Sequence, residues 1–191
     1  LAQRNPDAFV TAVDIDEACR EASKQEIIRR YFDALNALAK GSTSEKEAQK
    51  IELLMNMAGI TVTDRKVVIK ALERAKETDG PAAALELRDG RIITGKTTNL
   101  LGASAALLLN VLKVLAGIDH ETHIISPESI EPIQKLKVDY LKSKNPRLHT
   151  DEVLIALSAS AATNPQARLA LSQLPELAGC QAHTSVMLSD V

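Results

Sequence analysis

Ile92-Ile93-Thr94-Gly95-Lys96-Thr97-Thr98-Asn99-Leu100 runs directly into Leu101-Gly102-Ala103-Ser104-Ala105-Ala106-Leu107-Leu108-Leu109-Asn110-Val111-Leu112. The β-branched pair predicts a strand, the Gly-Lys-Thr-Thr-Asn break a tight turn, and the apolar run a helix from Thr98 to Ala116. Because that helix is apolar on nearly every face, it must be buried. The turn before it aims unpaired backbone N–H groups past the strand end, beside Lys96, Thr97 and Thr98, and suits phosphate or carboxylate.

Upstream of this stretch, Ala82 to Leu87 and Arg91 to Thr94 flank Asp89-Gly90, a strong hairpin signal. Three amphipathic helices come before the hairpin. Asp14-Ile15-Asp16-Glu17 is a capping box opening the first, with Ile27, Ile28, Tyr31, Leu35 and Leu38 on one face before Lys40-Gly41. Ser44-Glu45-Lys46-Glu47 opens the second, with Ala48, Ile51, Leu54 and Met55 on one side before Gly59. The third follows Thr63-Asp64, turns Val67, Val68, Ala71, Leu72 and Ala75 inward, and ends at Asp79-Gly80-Pro81. Short loops between such helices predict a small bundle.

Downstream, Gly117 stops the buried helix and Thr122-His123-Ile124-Ile125 reads as a third strand. Ser126-Pro127 starts a helix in which Pro132 is expected only in the first turn or at a fresh start. The loop Ser143 to His149 leads to a helix capped by Thr150, and Asn164-Pro165 breaks that helix and begins another. Ala182 to Leu188 reads as a final strand with Ala182, Thr184, Val186 and Leu188 on one face. The expected class is α/β: a helical bundle subdomain over residues 1–80, then an α/β/α sandwich with a four-stranded mixed sheet over residues 81–191.

Composition narrows the function. The 191 residues are 45% hydrophobic and only 2% aromatic, so packing rests on Leu, Ile, Val and Ala. A net charge of −2 with both signs interspersed excludes a sequence-independent nucleic-acid binder. Cys19 and Cys180 form neither a disulfide framework nor a zinc spacing, which fits a reducing cytoplasm. No signal peptide is expected, since the first sixteen residues carry Arg4, Asp7, Asp14 and Asp16. A membrane span over Leu100 to Ile118 is disfavoured by Asn110 and Lys113, the lysine alone costing roughly 2.5 to 3.5 kcal/mol. The opening Leu1-Ala2-Gln3-Arg4-Asn5-Pro6, without an initiator Met, suggests a piece of a longer protein.

Gly90 to Thr97 satisfies the phosphate-loop pattern G-x-x-x-x-G-K-[ST], but Arg91-Ile92-Ile93-Thr94 is a hairpin arm rather than a flexible loop. The narrower expectation is an anion site at Gly95, Lys96, Thr97, Thr98 and Asn99. A second cluster, Lys144, Asn145, Arg147 and His149, lies before a helix N-terminus. If the two turns converge, Lys96, Thr97, Asn145 and Arg147 surround one anion. No metal site is expected: His120-Glu121-Thr122-His123 is one residue short of H-E-x-x-H and straddles a turn. His183 and Ser185 lack a third catalytic member, and Ser143-Lys144 is not S-x-x-K, so no catalytic set and no cofactor is specified.

Lys24 to Tyr31, Lys50 to Asn56, Thr94-Gly95-Lys96-Thr97, Leu100 to Ser104 and Ser143 to Glu152 strongly resemble the carboxy-terminal part of the bacterial uncharacterised protein family 0371, from about Asp14 to the end. The resemblance implies a helical subdomain plus an α/β/α sandwich. It also implies an amino-terminal α/β domain elsewhere in the longer members, with its own Gly-rich, lysine-bearing loop. It brings no catalytic residue, and the peptidase label sometimes attached to the family has no peptidase motif here. Two functions follow: a part that completes a phosphate, carboxylate or nucleotide site with its amino-terminal domain, or a structural module serving homo-oligomerisation or domain docking.

Overall fold

The computed structural model describes residues 12–187, with side chains from Asp16 onward. They form two compact units that divide between Arg65 and Lys66.

In the first unit, helix α1 (Ala12–Ala39) packs on helix α2 (Glu45–Ala58). Ile28, Met55 and Ile60 make its core, with Ile27, Tyr31, Phe32 and Val62 beside them. Gly59 adopts φ 64°, and Ile60 N–H then donates back to Met55 O at 2.9 Å; the left-handed cap carries no Cβ penalty at glycine. A 3₁₀ turn at Val62–Asp64 follows, where the Asp64 carboxylate accepts from Thr61 N–H at 2.6 Å. That bond, and then one from the Thr61 hydroxyl, holds the Asp64 carboxyl below its ordinary range. Helix α1 is already under way at Asp14, so the expected capping box does not begin it. Leu54, expected inward, is 48% exposed, because a two-helix pair buries a narrower stripe of α2 than a three-helix bundle would.

The second unit contains helix α3 (Lys66–Thr78), strands β1 (Ala82–Glu86) and β2 (Ile92–Lys96), and helices α4 (Ala103–Ala116), α5 (Pro127–Lys135), α6 (Thr150–Ser160) and α7 (Pro165–Leu171), then strand β3 (Gln181–Thr184). The third helix, assigned by sequence to the bundle, thus packs on the sheet. The hairpin forms as expected, with Glu86 opposite Ile92. Helices cover both sheet faces: Ala84 and Ile92 meet Val67 and Ala71 of α3 on one, while Ala83 meets Ala103, Leu107 and Val111 of α4 on the other. That is why Ala82, Ala83 and Ala84 are all fully buried in the central strand. Half of α4 is buried, seven of its fourteen residues. Beyond it, Leu112, Ile124, Leu148, Val153, Leu157 and Ala167 form the larger core.

The class is α/β, but the sheet is three-stranded and antiparallel in the order β2-β1-β3, not four-stranded and mixed. The expected strand Thr122 to Ile125 is irregular chain. Ile124 and Ile125 are both buried in one cluster, which neighbours on a strand cannot be, since their side chains point to opposite faces. The last strand ends at Thr184 because Ser185 turns its hydroxyl inward to accept Ala82 N–H at 2.9 Å. Leu188 lies outside the described residues. Helix α4 starts at Ala103 rather than Thr98, since the Thr98 hydroxyl accepts from Leu100 N–H and Leu101 N–H and holds a turn there. Pro132 sits inside α5, past its first turn, and a π-helical turn at Leu136–Tyr140 follows.

Gly95 is where strand and helix come closest. A Cβ there would lie 2.2 Å from Leu107 N and 2.5 Å from its Cα, both backbone atoms that cannot yield without moving α4 off β2. Gly95→Ala is therefore expected to destabilise by about 1 to 3 kcal/mol or more, the cost of overpacking. Gly80→Ala, whose nearest neighbour is Thr78 O at 3.7 Å, serves as the tolerated control. Equal denaturant midpoints for the two variants would refute this close contact.

Candidate functional site

The segments that lead from β2 into α4 and from α5 into α6 meet in a parallel bridge between Leu101 and Leu148. Leu148 N–H donates to Leu100 O at 2.9 Å, and Gly102 N–H donates to Leu148 O at 3.0 Å. Arg147 adds a third link, its Nε–H reaching Thr98 O at 2.7 Å. Parallel pairing makes both segments run the same way, and each enters a helix within two residues, at Ala103 and at Thr150. The N-termini of α4 and α6 consequently open on one cavity of about 580 Å³. Gly102 to Ala105 and His149 to Asp151 form its helix-end wall. Unpaired N–H groups and the positive ends of both helix dipoles collect there.

Five of the candidates read from sequence line this cavity: Thr97, Lys144, Asn145, Arg147 and His149. The Thr97 hydroxyl, the Lys144 ammonium and the terminal NH₂ groups of Arg147 have no hydrogen-bond partner among the described residues. The other four do not line it. Gly95 is packed on Leu107, and Lys96, next along the strand, points to the opposite face. Thr98 spends its hydroxyl on its own turn and its carbonyl on Arg147. Asn99 offers its carbonyl to Gln134 Nε2 at 3.4 Å. The expected pairing of Lys96 with Arg147 around one anion is therefore corrected: strand β2 continues through Lys96, and its pleat turns that side chain away. His149, one residue earlier than the expected Thr150, is the N-cap of α6.

Two residues of the site escaped the sequence reading. The Ser104 hydroxyl oxygen, in the first turn of α4, is sealed from solvent and has no hydrogen-bond partner. Lys137 is a buried lysine, 4% exposed. Its ammonium donates to Arg147 O at 2.8 Å, to Glu152 Oε2 at 2.8 Å and to His149 Nδ1 at 3.3 Å. It thereby ties the loop, the N-cap and the first turn of α6 into one unit. The π-helical turn brings it there by adding a residue to the helical repeat, with Leu141 N–H closing on Leu136 O at 3.0 Å. A lone lysine in a charged helix gives no sequence signal for burial, whereas Gly102-Ala103-Ser104, small residues at a helix start, could have pointed to Ser104.

His149, Asp151 and Glu152 bring three potential metal ligands within 4.8 Å of one another. Lys137 already supplies positive charge to His149 and Glu152, and Glu152 Oε2 also accepts His149 N–H at 2.7 Å, so the lone pairs of those two serve the fold, while Asp151 is exposed. His120 and His123 are exposed. The Ser185 hydroxyl is held by Ala82 N–H. Among the described residues no helix is long and apolar enough to cross a membrane.

The sequence matches the family model described as domain of unknown function DUF1846, C-terminal, over residues 63–191, and its N-terminal counterpart over residues 7–59. The chain belongs to the DUF1846 family. It is 60% identical to a UPF0371 protein of Corynebacterium aurimucosum over 176 residues, which are 92% of this chain and 35% of that protein. A UPF0371 protein of Corynebacterium urealyticum is 56% identical over 92% of the chain and 35% of its own length. One from Streptococcus thermophilus is 50% identical over 94% of the chain and 36% of its own length. The DUF1846 chain thus spans about a third of the length of these relatives.

Removing the Lys137 ammonium leaves the Glu152 carboxylate without its charge partner. Lys137→Met is expected to cost about 3 kcal/mol of unfolding free energy, the lower end for a broken buried pair because Glu152 retains some solvent contact. The double variant Lys137→Met/Glu152→Leu should recover part of that loss in urea titrations. Additive losses would mean that the two side chains do not depend on each other.

Proposed function

We propose that residues 66–191 bind a small molecule through its phosphate or carboxylate group, where the N-termini of α4 and α6 meet. The supporting observation is that two helix ends open on one cavity to which Lys144 and Arg147 add uncommitted positive charge. Anions are stabilised at such ends by backbone N–H groups and the dipole, and guanidinium groups can grip two oxygens at once. In the longer relatives the remaining two-thirds of the protein would complete the site, and a nucleotide is one ligand of the right kind. A cytoplasmic setting fits the unpaired Cys19 and Cys180.

A structural role is the second reading, favoured by Leu53, Leu54 and Met57, which lie exposed along α2. It expects self-association in sedimentation and no anion binding.

Calorimetric titration with inorganic phosphate separates the two. Lys144→Ala and Arg147→Ala should each weaken binding by about 10- to 100-fold, the size of a charge-assisted hydrogen bond, with melting temperatures nearly unchanged. Lys96→Ala should leave affinity as it was. Failure of the unaltered protein to bind phosphate, or an affinity indifferent to both cavity substitutions, overturns the reading.

A further inference from the structure

One face of α2 is apolar and uncovered. The buried residues of this helix, Ala48 and Met55, lie on the side that packs on α1. Leu53, Leu54 and Met57 are instead 61%, 48% and 78% exposed. Their i, i+1, i+4 spacing stacks them on a second side, roughly a third to just under half a turn from Met55. Glu45, Gln49, Glu52 and Asn56 fall together on the remaining side, which is polar. The unit is also short of core. Its buried apolar side chains, among the described residues, are Ile28, Ala48, Met55 and Ile60, and a unit of this size needs a larger cluster to be stable alone. An apolar stripe left open on so thin a unit is a surface where more core belongs.

Independently of the anion site, we infer that the Leu53, Leu54 and Met57 stripe docks the amino-terminal region that the longer relatives carry ahead of these residues, and that the α1–α2 pair is the last piece of that region's domain. The amino-terminal family model ends at residue 59 and the carboxy-terminal one begins at residue 63, close to where the two compact units part between Arg65 and Lys66. The α1–α2 pair therefore belongs with the amino-terminal domain. Only residues 7–59 of this chain match that domain, while about two-thirds of each relative lies outside the match. A domain buries the apolar faces of its own helices against its other elements, so the occupant is an apolar surface of that remaining part. A second copy of the chain suits the stripe less well. Three partly exposed side chains fall short of the roughly 800 Å² per partner that stable complexes bury. A segment joined to α1 through the backbone needs no such area, because the linkage makes the contact intramolecular.

Met57 and Met55 report on the two sides of α2 without any substitution, because peroxide oxidises an accessible thioether and spares a buried one. The experiment compares the 191-residue protein with a joined chain in which it replaces the matching third of the Corynebacterium aurimucosum relative. In the 191-residue protein Met57 should oxidise about tenfold or more faster than Met55, which is 5% exposed. In the joined chain Met57 should slow by about tenfold or more while Met55 stays protected. Loss of Met55 protection would show that the joined chain misfolds, and hydrogen exchange of the unaltered relative then decides. Its segment matching residues 45–58 should exchange about tenfold or more slowly than α2 of the 191-residue protein. Met57 oxidising equally fast in both folded chains, or equal exchange of the two segments, overturns the docking surface. A 191-residue protein that sediments as a dimer with Met57 already protected makes a second copy the occupant and overturns the choice of partner.

Discussion

The two backbone hydrogen bonds of the Leu101–Leu148 bridge are the constraint on which the second unit's cavity depends. Each is worth only about 1 kcal/mol net, yet their direction decides everything around them. A parallel pairing sends both segments the same way, so both helices present N-termini on one side. An antiparallel pairing would put an N-terminus beside a C-terminus and cancel the field. Hydrophobic packing keeps the bridge in place: Leu148 is fully buried, in a cluster with Leu112, Val153 and Leu157. The bridge inherits its position from further upstream, because α4 is set against β2 by the Gly95–Leu107 contact and by Asn110 Nδ2 donating to Thr94 O at 2.9 Å.

Lys137 does the corresponding work in electrostatics. A buried ammonium is costly unless it is paired and its donors are satisfied, and here all three N–H groups find acceptors in the loop and the first turn of α6. Glu152 needs the same arrangement from its side, since it accepts both Lys137 and the N-cap N–H. The loop is thereby held by charge where it has little apolar surface of its own. The charge of the cavity wall follows: Glu152, in the first turn of α6, is neutralised from behind by Lys137, which leaves Lys144 and Arg147 on the wall against the single carboxylate of Asp151.

Much of this was legible in the sequence. Asp89-Gly90 marked the hairpin, Gly59 and Gly117 marked helix ends, and Asn164-Pro165 marked a helix start, because each is a local rule of backbone conformation. The burial of α4 was legible from its composition. What failed required knowledge of neighbours. Thr122 to Ile125 has strand propensity, but both isoleucines are drawn into one core and no strand edge receives them. The third helix looked like part of a bundle because an apolar stripe does not say whether a helix or a sheet lies opposite. Five of the nine anion candidates reached the cavity since a polar loop before a helix is a local pattern. Lys96 failed on the parity of a pleat, and Lys137 stayed hidden because a buried lysine differs from an exposed one only in its surroundings.

The phosphate-loop pattern is matched by letters that serve other ends in the fold. Gly90 belongs to the hairpin turn, at φ 84°, and Gly95 is demanded by a helix packed against its strand. Neither glycine is there to wrap a phosphate, and the lysine between strand and turn points away. The chemistry that the pattern stands for, a strand end passing into a helix with free N–H groups, is nevertheless present one turn later at Gly102 to Ser104. It is strengthened there by a second helix brought alongside by the Leu101–Leu148 bridge. A single helix end attracts an anion weakly in water. Two on one cavity, with the Lys144 ammonium and the Arg147 terminal NH₂ groups beside them, gather more positive potential than either helix end would alone.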